Sequence, residues 1–216
     1  MGEGHHYPVA MTTGRLEAFS DGVFAIAITL LVLNLTAPDG NVASGLRRQW
    51  PGLAAYVLSF VVIGIIWMNH HGLFERVVAV DRPLMLLNLH LLLWVALLPF
   101  PTSLVAKNLT HGFDGRVSVA VYSGVMTGMS VAFSLLWRWV VRNDRLLHAS
   151  IDPLDARARS WRFYVGLVAY PVAAAVSFVN APAAFGLHCL LAVYYLADQL
   201  PKQDRTNGPP DAGSHP

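Results

Sequence analysis

The chain has 216 residues, of which 55% are apolar and 13% charged, where an average soluble domain carries roughly 25% charged residues. Lys and Arg total 15 against 13 Asp and Glu, a net charge of +2. The basic residues form no stripe interleaved with aromatics, which excludes nucleic acid as a partner. Cys189 is the single cysteine, so neither a disulfide framework nor a cysteine-based zinc site is available.

Runs without Asp, Glu, Lys or Arg define the elements. They extend from Gly22 to Pro38, Gln49 to Phe74, Pro83 to Ala106, Val117 to Trp137 and Phe163 to Ala197. A helix needs about 20 apolar residues to cross a hydrocarbon layer of about 30 Å. Each of the first four runs supplies one crossing. The fifth is too long for one, and it contains Asn180-Ala181-Pro182, where a turn residue precedes a proline suited to a helix start. The predicted spans are therefore 15–36, 51–69, 84–105, 117–140, 162–179 and 183–200, an all-α membrane domain of six transmembrane helices over residues 15–200. Short connections make sequential helices antiparallel neighbours. Pro99, Pro101 and Pro171 fall late in or inside spans and should bend or end them.

Residues 1–14 read as a flexible leader without the basic start of a signal peptide, so the first helix is expected to be retained. Residues 201–216 contain Pro201, Pro209 and Pro210 and read as a disordered tail. With the N-terminus inside, inner segments hold Arg15, Arg76, Arg82, Arg138, Arg142, Arg145, Arg157, Arg159, Arg162, Lys202 and Arg205, and outer loops only Arg47, Arg48, Lys107 and Arg116. That bias predicts a multi-pass plasma-membrane protein with both termini cytoplasmic. The basic stretch Arg138 to Arg162 reads chiefly as a solvated loop, with anionic membrane lipid as its natural neighbour.

The first span carries Asp21 about a turn and a half from its basic end, and an ionisable group at such depth needs a partner. At about 100° per residue, Phe19, Gly22, Ile26, Leu30 and Leu33 form one stripe with Thr29 at its edge, and Ser20 and Asp21 lie well round the helix. Candidate partners at the same depth are Trp67 and His70, with the neighbouring His71, on the second span, and Asn88 and His90 on the third. Structural glue between three helices is the reading this knot favours, ahead of a proton or ion relay. Catalysis is disfavoured: Ser20 and Asp21 diverge by about 100°, and no G-x-S-x-G elbow accompanies them. H-E-x-x-H spacing and a Gly-rich phosphate loop are likewise missing, so neither an enzyme nor a bound cofactor is expected. Gly124 and Gly128 form G-x-x-x-G, a packing hint.

The run Arg15-x-x-x-Phe19-Ser20-Asp21-Gly22-Val23-Phe24-Ala25-Ile26-x-x-Thr29-Leu30-Leu31-Val32-Leu33 resembles the signature first helix of the endolysosomal potassium channel family, transmembrane protein 175, and its prokaryotic relatives. Trp67-x-x-His70 and the stretch from Asn88 to Pro99-Phe100 extend the resemblance over the first three spans. The resemblance implies a potassium-permeable channel, with monovalent cations as the permeating partners and no metal held otherwise. Prokaryotic members carry one six-helix repeat and form homotetramers around a pore lined by the first helix. It further implies that Ile26, Leu30 and Leu33 form the constriction and that Thr29 adds a hydroxyl layer associated with selectivity. Arg15, Ser20, Asp21, Trp67, His70 and Asn88 or His90 would form the supporting network.

Apolar rings at these three positions cover roughly 10 Å of pore, and such a constriction can close by dewetting. No Thr-Val-Gly-Tyr-Gly carbonyl filter is present, which predicts a weaker potassium preference than filter-bearing channels have. The alternative, a proton-coupled secondary transporter using Asp21 and neighbouring histidines, is disfavoured because such proteins usually break helices near the midplane. The first helix is expected to be unbroken from Arg15 to Leu35.

Overall fold

A computed structural model describes residues 12–38, 40–147 and 161–199. The expected leader (residues 1–11 of it), the tail and residues 148–160 of the basic stretch lie outside the described residues. Helix α1, Thr13–Leu30, tightens into a 3-10 turn over Leu31–Asn34. It is followed by α2 (Val42–Arg48), α3 (Trp50–Phe74), α4 (Arg82–Leu97), α5 (Pro99–Asn108), α6 (Gly112–Arg142), α7 (Trp161–Ser177) and α8 (Ala181–Gln199). Among the described residues there is no strand beyond an isolated bridge between Val77 and Leu147.

Among the described residues, five stretches are long and apolar enough to cross a membrane: Thr13–Asn34, Trp50–Phe74, Arg82–Asn108, Gly112–Arg142 and Ala181–Gln199. The fifth expected span, 162–179, appears as a shorter apolar helix, Tyr164–Ser177. Many large apolar side chains point outward, including Leu93, Val168, Leu190 and Val193. Water would penalise such faces, whereas hydrocarbon does not.

Proline chemistry explains the joint in the third span. Pro99 has no N–H to give the carbonyl one turn back, so α4 stops at Leu97 and α5 restarts at Pro99. At the joint Thr102 Oγ1 donates to Leu98 O at 2.8 Å, a carbonyl that also accepts from Thr102 N at 3.2 Å. Asn34 Nδ2 donates to Pro99 O at 3.4 Å, tying the end of the first span to the same joint. The first span is thus not a uniform α-helix to Leu35. Its last turn is 3-10, as is common where terminal carbonyls lack α-helical partners. α7 runs through Pro171 without ending. Asn180 acts as expected: its Oδ1 accepts from Ala183 N at 3.0 Å, capping α8. Helix α2 was not foreseen; Asn41 caps it by accepting from Ser44 N at 3.1 Å.

α6 packs against α4, α5, α7 and α8, while α1 lies on α3 and α4. Half of the G-x-x-x-G pair works as a contact: a Cβ on Gly128 would stand 2.5 Å from the Trp94 indole, whereas one on Gly124 would meet open space. Asp81 pins the α3–α4 connection to the end of α6. It caps α4 by accepting from Leu84 N at 2.9 Å, and it accepts from Trp139 Nε1 at 3.1 Å and Arg145 Nη2 at 3.1 Å.

Candidate functional site

α1 has two unlike faces. Leu16, Ser20, Phe24 and Ala27 are buried against the bundle, and Leu31 continues that face into the 3-10 turn. This spacing of three to four residues is one side of a helix. The other side presents Phe19, Gly22, Ile26, Thr29, Leu30 and Leu33 outward, with Ile26 62%, Leu30 42% and Leu33 72% exposed. Thr29 Oγ1 donates to Ile26 O at 2.8 Å, which satisfies its proton one turn back and leaves oxygen lone pairs facing out.

Behind the buried face lies a closed hydrogen-bonded chain. His70 on α3 donates from Nε2 to Asn88 Oδ1 on α4 at 2.8 Å, Asn88 Nδ2 donates to Ser20 Oγ at 2.9 Å, and Ser20 donates to Leu16 O at 2.8 Å. None of the three side chains is exposed. A carbonyl acceptor requires the proton on Nε2, and the Nδ1 of His70 has no hydrogen-bond partner among the described residues. The ring is held edge-on by Phe24, centroids 5.4 Å apart, and stacked on Phe74 at 4.4 Å.

A second, more exposed layer joins α1 to α3 directly. Trp67 Nε1 donates to Asp21 Oδ1 at 2.9 Å, and His71 Nδ1 donates to Glu17 Oε1 at 2.8 Å. Glu17 and Asp21 are spaced i, i+4 on α1, as are Trp67 and His71 on α3. Helical neighbours at that spacing share a face, so two pairs meet in antiparallel register. The Trp67 and His71 rings stack 5.9 Å apart, and Glu75 lies 3.5 Å from His71 Nε2.

The structure therefore gathers Ser20, Asp21, Trp67, His70 and Asn88 at the α1–α3–α4 junction. Asp21 is met by Trp67, one of its candidate partners, whereas His70, the other, meets Asn88. Two expected members stand apart. Arg15 is exposed and has no ion pair among the described residues. His90 is two residues beyond Asn88, about 200° round the helix, and lies on the exposed side, where its Nε2 accepts from Trp94 Nε1 at 3.4 Å. Sequence reasoning missed Glu17, whose i, i+4 relation to Asp21 was the available signal. It also missed the Asp81 clamp, announced by an N-cap type before Arg82-Pro83.

Chemically the junction offers hydrogen bonds between α1, α3 and α4. The proton of Ser20 goes to a backbone carbonyl, and its side-chain neighbour is the Asn88 amide, so no histidine activates it as a nucleophile. Among the described residues, no group of three His, Cys, Asp or Glu side chains is arranged to hold a metal.

The family profile described as Endosomal/lysosomal potassium channel TMEM175 matches residues 15–99. A potassium channel of Streptomyces collinus is 46% identical over 202 residues, covering 92% of this chain and 98% of that one. The fold is similar to the crystal structure of a lysosomal potassium-selective channel TMEM175 homolog from Chamaesiphon minutus, with TM-score 0.78, 36% identity and coverage of 86% of this chain and 97% of that one. The endosomal/lysosomal proton channel TMEM175 of Gallus gallus is 32% identical over 146 residues, 62% of this chain but 28% of that protein. With one relative matched almost end to end and a solved fold to go with it, this chain belongs to the TMEM175 potassium channel family.

Proposed function

We propose that the chain is one subunit of a potassium-permeable cation channel in the plasma membrane. Its pore is lined by the outward stripe of α1, with a hydrophobic constriction at Ile26, Leu30 and Leu33 and a hydroxyl layer at Thr29. The observation that carries this reading is the exposure of Ile26 and Leu33 on a helix whose opposite face is anchored by a buried polar chain. A helix held so firmly on one side and bare on the other suits a symmetry axis, and four copies of a six-span subunit would close a pore there. The positive-residue bias supports cytoplasmic termini, with the outward apolar faces of the other helices meeting membrane lipid.

Potassium is favoured over protons because the bacterial relatives named as potassium channels match nearly the whole chain. The vertebrate protein named for protons shares only part of its length. Selectivity at Thr29 and apolar rings needs no carbonyl filter, and apolar rings gate by dewetting. A transporter built on Asp21 has less support, since that carboxylate accepts from Trp67 on the side of α1 turned toward α3.

Potassium flux from liposomes under a potassium gradient tests the reading. Ile26→Asn should raise the flux by wetting the constriction. Unchanged flux at normal reconstitution, or a monomer by mass measurement in detergent, refutes it.

A further inference from the structure

Two contacts fix how α4 and α6 run past one another. Trp139 Nε1 on α6 donates to Asp81 Oδ1 at the start of α4 at 3.1 Å, and Gly128 on α6 lies against the Trp94 indole of α4. The helices are therefore antiparallel, with Arg82 level with Arg138 and Leu86 level with Leu135. At about 100° per residue, Arg82, Leu86 and Leu93 fall within about 40° of one another on α4. Val131, Leu135, Arg138 and Arg142 fall within about 60° on α6. All of these side chains are exposed, so the two helices share one open seam.

The seam changes character along its length. At one end stand Arg82, Arg138 and Arg142, none of which has an ion pair among the described residues. Asp81, the neighbouring carboxylate that would repel an anion, is taken up by Arg145 Nη2 at 3.1 Å and by Trp139. Trp137 and Trp139 lie at the same level, and indoles favour the boundary between lipid headgroups and hydrocarbon. Beyond the arginines the seam is apolar: Leu86 is 56% and Leu135 44% exposed. From Leu86 to Leu97 α4 rises about 16 Å, half of a hydrocarbon layer of about 30 Å. A free anion would leave this apolar stretch without a partner, and an uncharged lipid would leave the guanidinium groups without a counter-charge.

We propose that the seam is a binding site for an anionic glycerophospholipid of one leaflet. Its phosphodiester would sit between Arg82 and Arg138, with Arg142 beside it, and an acyl chain would lie over Leu86 and Leu135. The planar fork of arginine matches two phosphate oxygens at once, which distinguishes this site from a diffuse attraction of basic residues to the membrane. No residue of α1 belongs to the seam, so the site is separate from the proposed pore. It reaches α1 through α4, whose Asn88 bonds both Ser20 and His70.

The probe is dioleoyl phosphatidylglycerol, compared with dioleoyl phosphatidylcholine on the delipidated full-length protein in detergent, with lipid retention read by native mass spectrometry. The parent should retain phosphatidylglycerol at least fivefold more tightly. The double variant Arg82→Gln/Arg138→Gln should abolish that preference. If it assembles poorly, Arg138→Gln alone should weaken it about threefold. Arg47→Gln/Arg48→Gln, at the opposite end of the molecule, should leave it within about twofold. A phosphatidylglycerol carrying a photoreactive acyl chain should label the peptides that hold Leu86 and Leu135. Equal retention of the two lipids, undiminished preference in both Arg138 variants, or labelling confined to other helices would each overturn the proposal. So would displacement by millimolar inorganic phosphate, which would mark a site for a free anion, or cross-linking of Leu135 to a second copy of the chain covering the seam. Because the readout is binding, failure of the channel reading in flux assays leaves this test intact.

Discussion

His70 Nε2 and Asn88 Oδ1 stand 2.8 Å apart at a junction where neither side chain meets solvent, and Asn88 passes the connection on to Ser20. One amide thereby bonds three helices: α3 through its oxygen, α1 through its nitrogen, and α4 through its backbone. A buried polar group deprived of its partner costs about 1–3 kcal/mol, more than an average hydrogen bond contributes. Asn88→Leu strands the imidazole N–H and leaves the Ser20 hydroxyl without its donor. The melting temperature in detergent should therefore fall, with recovery of intact protein reduced. Asn88→Gln retains both chemical functions on a longer arm and should be milder. Equal melting temperatures for the parent and Asn88→Leu would show that the junction contributes little.

Gly124 and Gly128 separate backbone propensity from packing. In a helix interior Gly is less favourable than Ala by about 0.8–1 kcal/mol. Gly124→Ala meets open space and should be neutral or stabilising. Gly128→Ala drives a methyl group into the Trp94 indole, so α4 and α6 must separate. Overpacking of this kind costs typically about 1–3 kcal/mol. Thermal unfolding of the two variants side by side should show opposite signs, and equal shifts would remove the close contact as the reason for glycine at 128.

The spans were legible because charge-free runs and proline positions act locally. Pro99 ended α4 where its missing N–H demanded it, and Asn180 marked the start of α8, both from residue chemistry alone. The pairing inside the junction was less legible. Depth along the chain brought Asp21, Trp67, His70 and Asn88 to one level, but which donor meets which acceptor depends on how α1 and α3 rotate about their axes. His90 shows the limit of that reasoning, since depth placed it with Asn88 while its angle on α4 turned it outward. The 3-10 turn at Leu31–Asn34 also escaped, as did the contact of Asn34 with Pro99, a residue 65 positions away.

Thr29 is expected to influence which cation passes while contributing little to assembly. Its hydroxyl proton is satisfied by Ile26 O, so its oxygen can face a passing ion without a change of rotamer. Thr29→Val removes that oxygen at nearly constant volume and leaves the Ile26 carbonyl in its helical bond. The potassium over sodium preference should drop with oligomer mass unchanged. Reversal potentials in mixed salt that match the parent would remove Thr29 from the selective layer.

Asp21 is expected to fasten α1 to α3 without touching the permeating ion. It lies about 140° round α1 from Ile26, and its Oδ1 accepts from Trp67 Nε1 at 2.9 Å. The pair is only partly buried, so the loss in Asp21→Ala should sit near the lower end of about 1–3 kcal/mol for an abandoned donor. Melting temperature and oligomer yield should both fall. Asp21→Asn keeps an acceptor oxygen for the indole N–H and should be milder in stability. Asp21→Asn should also retain parental ion selectivity with a modest change in melting temperature. A stable Asp21→Ala oligomer whose potassium preference has changed would put the carboxylate in the conduction path and reverse the assignment of the two faces of α1.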